Sequence, residues 1–95
     1  MSSGTTLRAE IYVSGRVQGV GYRRFVRNAA ERFGVECYPV NLRDGRVFVI
    51  AEGKEEAIDL LINELWKGPT FAYVEDVDVI FKEPTGNVYN LPSEI

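Results

Sequence analysis

The chain has 95 residues, of which 45% are hydrophobic, so it can bury one modest core but not two. It has one cysteine and no histidine, which excludes an internal disulfide and removes the usual general base and the commonest metal ligand. The net charge of −3 is unevenly distributed, because residues 1–34 sum to +4 and the remainder to −7. Positive charge confined to one segment favours a small anionic ligand and argues against nucleic acid as a partner.

The sequence carries no signal for export or membrane insertion. The opening MSSGTT lacks the basic and apolar regions of a signal peptide, and no later run approaches the roughly 18 apolar residues of a membrane span. We therefore expect a cytoplasmic protein that contacts no membrane. Within it we expect a flexible N-terminal tail over residues 1–6 and a single domain over residues 7–95.

A strand, a glycine-rich segment and a helix are predicted first. Residues 7–13 (LRAEIYV) alternate apolar with more polar side chains, which is the period of a half-buried strand. The segment GRVQGVGYRR follows at residues 15–24. Apolar side chains then recur at helical spacing until Gly34, a natural helix terminus. These helical positions are Phe25, Val26, Ala29, Ala30 and Phe33.

An antiparallel hairpin is predicted next. Residues 35–41 and 46–51 are both β-prone, and the Asp44-Gly45 pair between them is a strong turn signal. Pro39 cannot donate a hydrogen bond to a neighbouring strand, so we expect the first strand of the hairpin to lie at a sheet edge.

A second helix and a last strand complete the predicted elements. The helix has its apolar positions at Ala57, Ile58, Leu61, Ile62, Leu65 and Trp66. Val77, Val79 and Phe81 then alternate along the strand. The order β-α-β-β-α-β predicts an α+β ferredoxin-like sandwich, a four-stranded antiparallel sheet with two helices on one face. Right-handed crossovers put the first and third strands in the middle of this sheet.

The segment at residues 15–24 has the composition of an anion site, with three glycines and three arginines. Glycine permits close approach of the backbone to a ligand, and arginine binds planar oxyanions through a fork of donors. Backbone N–H groups at the start of a helix also favour anions. The segment matches neither the Walker pattern nor the dinucleotide fingerprint. A tight turn with surface arginines is the alternative.

The longer stretch SGRVQGVGYRRFV resembles the signature of the acylphosphatase family, enzymes that hydrolyse the mixed anhydride of a carboxylic acid and phosphate. The resemblance runs from Leu7 to about Phe81 and includes NLRDG, AEG and GPTFAYVEDVDV. It implies that Arg23 is the catalytic arginine holding the phosphoryl group and that Asn41 positions the attacking water. It also implies a backbone cradle for the phosphate formed by Gln18, Gly19, Val20, Gly21 and Tyr22.

The resemblance further implies a small-molecule acyl phosphate as substrate, inorganic phosphate or sulfate as a competing anion, and neither a metal nor another cofactor. We expect the protein to act as a monomer. The stretch before Asn41, Cys37-Tyr38-Pro39-Val40, departs from the family pattern of glycine, aromatic, valine and a basic residue. An Asx turn beside Asp44 is the structural alternative for Asn41.

Two other functions compete with this interpretation. Residues 37–43 (CYPVNLR) fit the Cys-x5-Arg spacing of cysteine-dependent phosphatases, although Pro39 and the lack of a histidine disfavour a reactive thiolate. The other alternative is a non-catalytic ferredoxin-like module that binds phosphate or an acyl phosphate without turnover.

Overall fold

The computed structural model describes residues 5–95, so most of the predicted tail, residues 1–4, lies outside the described part. The elements in chain order are β1 (Thr6–Arg16), α1 (Tyr22–Phe33), β2 (Glu36–Asn41), β3 (Val47–Lys54), α2 (Glu55–Lys67) and β4 (Tyr73–Lys82). β1 thus begins at Thr6, one residue before the predicted start of the domain. None of the helices within residues 5–95 is long and apolar enough to cross a membrane.

The four strands form one antiparallel sheet in the order β2-β3-β1-β4, which confirms the ferredoxin-like prediction. Pro39 lies on the edge strand β2, opposite Val49 of β3. An edge position suits proline because it has no backbone N–H to donate to a second neighbouring strand. β1 and β2 are each antiparallel to β3, so they run in the same direction. The residues that follow β1 and the last residues of β2 therefore meet at one end of the sheet.

Both helices pack on one face of the sheet and enclose the main core. Val26, Ala29 and Ala30 of α1 are buried there, and α1 ends at Gly34 in the left-handed conformation that glycine favours. α2 contributes Ile58, Leu61 and Leu65 to the same core. Trp66 was predicted on the apolar face of α2, but it is 46% exposed. Its position one residue past Leu65 turns it away from the sheet.

The opposite face of the sheet is covered in part by the C-terminal segment, residues 83–95. Val88 of this segment is buried against Phe48 and Ile50, and these three residues form the centre of a second, smaller core. Tyr89 stacks at a tilt on Tyr38, with ring centroids 5.1 Å apart. The C-terminal segment is thus part of the packed structure.

A buried group of charges, which we call the carboxylate network, fastens the C-terminal segment to this face. Arg8 donates to Glu10 at 2.9 Å and to Glu52 at 2.8 Å. Glu52 also accepts from the backbone N–H groups of Thr85 and Gly86, each at 2.9 Å. Burial alone would raise the pKa of Glu52, but these donors outweigh it and lower the pKa to about 2. Arg8 is only 4% exposed and has a structural role in this network.

Candidate active site

The glycine loop, residues 17–21, connects β1 to α1 and is anchored at both ends. Val17 and the adjoining Tyr22 are each only 1% exposed and belong to the main core. The Tyr22 hydroxyl donates to the backbone carbonyl of Leu65 at 2.6 Å, and burial raises the pKa of this phenol. Fixed ends give the residues between them a defined backbone position at the start of α1.

The backbone of the glycine loop has the geometry of an anion cradle. Gly19 and Gly21 have φ angles of 75° and 81°, whereas Val20 between them has a negative φ. A Cβ on either glycine would meet no atom within 4 Å, so glycine is required here for its conformation and not for space. Alternating handedness of this kind turns successive N–H groups toward one concavity.

The N–H groups of the glycine loop are available to a ligand. Within residues 5–95, no backbone carbonyl accepts from the N–H of residues 19–21. Gly21 caps α1 without a side-chain hydrogen bond, and the first turn of α1 contains no acidic residue. The partial positive charge at this helix terminus is therefore not compensated by the chain, which favours an anion.

A cavity of about 470 Å³ opens in front of the glycine loop. It is lined by Val17, Gly19, Gly21, Tyr22, Arg23, Arg24, Arg27 and Asn41. Five of the seven predicted site residues are among these. The other three lining residues are Val17, Arg24 and Arg27, of which Arg24 lies in the arginine-rich segment predicted as an anion site. Over the described part of the chain, the ion pairs involve none of the three cavity arginines.

Asn41 reaches this cavity because of the strand directions. It is the last residue of β2, which runs parallel in direction to β1, so Asn41 ends beside the loop that follows β1. The alternative of an Asx turn at Asn41 is wrong, because no backbone N–H of residues 5–95 donates to its side chain. Asp44 forms the Asx turn instead, since its Oδ1 accepts from the backbone N–H of Arg46 at 3.1 Å. The Asn41 side chain makes no hydrogen bond to residues 5–95 and is exposed.

Gln18 does not line the cavity but joins its two halves. Its Nε2 donates to the carbonyl of Leu42 at 2.8 Å and to that of Arg46 at 2.9 Å. These carbonyls belong to the hairpin turn that begins directly after Asn41. The side chain thus fixes the distance between the glycine loop and the end of β2. Val20, the other predicted residue outside the lining, packs against the main core.

Cys37 is poorly placed for the cysteine-phosphatase alternative. Residues 37–43 run along the edge strand and into the hairpin, so they do not wrap around an anion between a strand and a helix. Burial raises the pKa of the Cys37 thiol, and the charge of Arg27 offsets this only in part. A metal centre has no better candidate, since the described residues contain no cluster of three potential ligand side chains.

Comparison with known proteins agrees with the resemblance seen in the sequence. A sequence model of the acylphosphatase family matches residues 9–90. Acylphosphatase of Deinococcus radiodurans is 49% identical over 80 residues, which cover 84% of this chain and 92% of that protein. Acylphosphatase of Thermus thermophilus is 50% identical over 74 residues, which cover 78% of this chain and 84% of that protein.

A solved structure of an acylphosphatase has the same fold as this chain. The crystal structure of acylphosphatase from Bacillus subtilis is 37% identical and superposes with a TM-score of 0.81, covering 83% of this chain and 88% of its own. Because the family match includes the glycine loop and Asn41 and extends beyond β4, this chain belongs to the acylphosphatase family.

Proposed function

We propose that the protein is an acylphosphatase that hydrolyses acyl phosphates to a carboxylate and inorganic phosphate by direct attack of a positioned water. The observation that carries this proposal is the cavity that brings Arg23 and Asn41 together in front of loop N–H groups that donate to no backbone carbonyl of residues 5–95. The bond between phosphorus and the bridging oxygen breaks, its electron pair leaves with the carboxylate, and the oxygen of water bonds to phosphorus. A carboxylate is a good leaving group, so the chemistry does not require a histidine.

Arg23 and the glycine loop hold the phosphoryl group in this mechanism. The guanidinium offers two parallel N–H donors, and the loop N–H groups supply further donors that need no reorganisation during the reaction. Charge spreads over the equatorial oxygens in the transition state of phosphoryl transfer. Donors fixed around these oxygens therefore stabilise the transition state more than the ground state.

Asn41 positions the attacking water. Its side-chain amide both accepts and donates hydrogen bonds, so it can orient the hydrogens and a lone pair of one water molecule. In-line displacement then puts the water on the β2 side of the phosphorus and the acyl group on the opposite side. The proton leaves late and can pass to a phosphate oxygen of the substrate, which removes the need for a strong protein base.

Competing anions, oligomeric state and compartment complete the proposal. Inorganic phosphate or sulfate binds the same cradle and competes with the substrate, because the loop recognises a tetrahedral anion. The protein acts as a monomer in the cytoplasm. The alternative of a non-catalytic binding module is not favoured, since the relatives reported above are named as enzymes.

The test separates the role of Arg23 from that of Asn41. Asn41→Ala should lower kcat for an acyl phosphate by about 10²-fold and leave phosphate affinity nearly unchanged, because only the water loses its position. Arg23→Lys keeps the charge but loses the fork, so phosphate affinity and kcat should both fall. The measurements are competitive inhibition by inorganic phosphate and steady-state hydrolysis for each variant.

Two matched substitutions away from the cavity serve as controls. Asn63→Ala removes an exposed amide on α2, and Arg32→Lys changes an arginine whose partner is Glu64. Both should hydrolyse acyl phosphates at the parent rate. Parent-like turnover in Asn41→Ala would assign the water to another group, and a parent protein that binds phosphate without turnover would establish the non-catalytic module instead.

A further inference from the structure

The cavity in front of the glycine loop holds more positive charge than a phosphoryl group uses. Arg23, Arg24 and Arg27 all line it, and no carboxylate does. An acyl phosphate brings a charge of about −2 in its phosphoryl group. The start of α1 adds a partial charge of about +0.5 to the three guanidinium charges. A substrate with only a phosphoryl anion would therefore leave at least one arginine charge without a counterpart.

The spacing on α1 puts these arginines on one surface of the helix. Arg27 follows Arg23 by four residues and Arg24 by three, and both spacings make neighbours on a helix. Arg27 is displaced from Arg23 by about 6 Å along the helix axis. Long helical side chains lean toward the N-terminus, so Arg27 leans toward the phosphate cradle. The cluster thus extends from the phosphoryl site by about one helical turn.

The cavity also has space for the second part of a substrate. Its volume of about 470 Å³ lies within the roughly 300–1,000 Å³ of small-molecule sites. A phosphoryl group alone has only four heavy atoms, so most of the volume is available to the acyl group. The walls of this remaining space include Arg24 and Arg27 but few apolar side chains, which makes it a poor pocket for a long hydrocarbon chain.

We propose that Arg24 and Arg27 select acyl phosphates whose acyl group carries a second anion, such as a carboxylate at the end of the acyl group remote from the phosphorus. This inference rests on the proposed hydrolysis of acyl phosphates. Arg23 and the loop N–H groups hold the phosphoryl end, while Arg24 and Arg27 hold the second anion. Arginine suits this task because it is always charged and matches a carboxylate with two donors.

The test compares two substrates that differ only in the second anion. In 4-carboxybenzoyl phosphate and 4-methylbenzoyl phosphate a rigid ring carries either a carboxylate or a methyl group at the same place. The ring also prevents the carboxylate from attacking its own anhydride. Values of kcat/KM for both substrates are measured for the parent, Arg24→Gln, Arg27→Gln and the double variant. Comparing each variant with the parent on the same substrate cancels the intrinsic reactivities.

The double variant should lose at least about tenfold more kcat/KM with the carboxylate substrate than with the methyl substrate, because a charge-assisted hydrogen bond is lost only there. Most of the loss should be in KM, and it should shrink at high salt. Arg32→Gln is the matched control: it removes the same charge from the same helix, but Arg32 lies outside the cavity lining and pairs with Glu64. Its effect on the ratio should stay below about twofold.

Equal losses of kcat/KM with both substrates in the double variant would overturn the selection role. They would show that the two arginines only add to the positive electrostatic potential of the cavity. That result would leave the proposed acylphosphatase activity intact. A parent protein that hydrolyses neither substrate would overturn the proposed function itself. All three positions are exposed, and glutamine is a good helix former, so the variants should fold.

Discussion

Replacing Glu52 with glutamine should destabilise the protein strongly without touching the cavity. The Glu52 carboxylate accepts from four donors: the N–H and hydroxyl of Thr85, the N–H of Gly86 and the guanidinium of Arg8. Glutamine has nearly the same volume, but its terminal amide replaces one acceptor oxygen with an NH₂ group. This NH₂ group cannot accept from the donors around position 52. The substitution also leaves the buried Arg8 with Glu10 as its remaining carboxylate partner.

The magnitude follows from the pKa of Glu52. A shift from the ordinary value of 4.5 to about 2 corresponds to about 3 kcal/mol of folding free energy at neutral pH. Removing one partner of a buried ion pair generally costs about 3–5 kcal/mol, which agrees with this figure. In a domain of this size each 1 kcal/mol lowers Tm by about 4–8 °C, so Glu52→Gln should lower Tm by more than about 10 °C.

The lowered pKa of Glu52 also determines how the stability difference between the parent and Glu52→Gln should change with pH. The folded-state pKa of Glu52 is lower than the unfolded-state pKa, so its stabilising effect is fully present above about pH 4.5 and is lost as pH falls toward about 2. The difference in unfolding free energy between the parent and Glu52→Gln should therefore narrow over this window. Urea unfolding at pH 7 and at several values below 4.5 measures it.

Two further variants keep the test decisive. Thr85→Ala keeps the backbone N–H donor to Glu52 but removes the hydroxyl, which contacts Glu52, Arg8 and Asn87. It should cost about 1–2 kcal/mol, so it remains measurable if Glu52→Gln unfolds. Glu83→Gln removes the same charge from an exposed position in the same segment and should change stability by less than about 0.5 kcal/mol. A Glu52→Gln protein as stable as the parent at pH 7, or a difference that does not vary with pH, would refute the reasoning.

Two more predictions concern the site. Gln18→Leu should lower kcat about tenfold or more, because the glycine loop loses its link to the end of β2. Tm should change little, because the carbonyls of Leu42 and Arg46 keep their hydrogen bonds within the hairpin. Steady-state kinetics and thermal unfolding measure the two effects, and an unaltered kcat would contradict the prediction. Cys37→Ser should retain nearly parental turnover, and iodoacetamide should inactivate the parent slowly, because burial raises the pKa of the thiol. Rapid stoichiometric inactivation prevented by phosphate would restore the cysteine-nucleophile alternative.

The sheet and helices were predictable because hydrophobic periodicity reports directly which side of an element is buried. The end of β1 was not predictable in this way. β1 continues beyond Val13 to Arg16 through an irregularity at Gly15, where the pairing with β4 shifts register. A Cβ at Gly15 would lie 2.1 Å from the Tyr73 carbonyl oxygen, so the glycine is required by a strand almost sixty residues away. No local pattern contains that information.

The carboxylate network shows the same limit for charged residues. Arg8 stands in a strand that alternates apolar and polar side chains, so its position predicts an exposed side chain. It is buried because Glu52, 44 residues later, and the C-terminal segment close over it. The alternation of β1 correctly separates two faces of the sheet, but it cannot tell whether the second face is open to water or covered by another segment.

The predicted site shows where family resemblance adds to local pattern. Spacing alone indicated an anion site at the start of α1, and the resemblance added the roles of Arg23 and Asn41, which remain proposals. The cavity that brings these two residues together follows from topology, since β1 and β2 share a direction. The side-chain role of Gln18 had no signal in the sequence, because its partners lie in a turn that becomes adjacent only after β3 pairs with both strands.

Pairing, more than net charge, explains how an acidic protein offers a site for anions. Arg8 is held by carboxylates at 2.8 and 2.9 Å, so its charge is neutralised locally. Arg32 and Arg46 likewise have the acidic partners Glu64 and Asp44. The cavity arginines differ from these in having no acidic partner within residues 5–95. Most of the acidic residues lie on α2, β4 and the C-terminal segment, which do not line the cavity. Three arginines with no acidic partner in the described part of the chain thus lie together where the loop N–H groups and the start of α1 add to their positive charge.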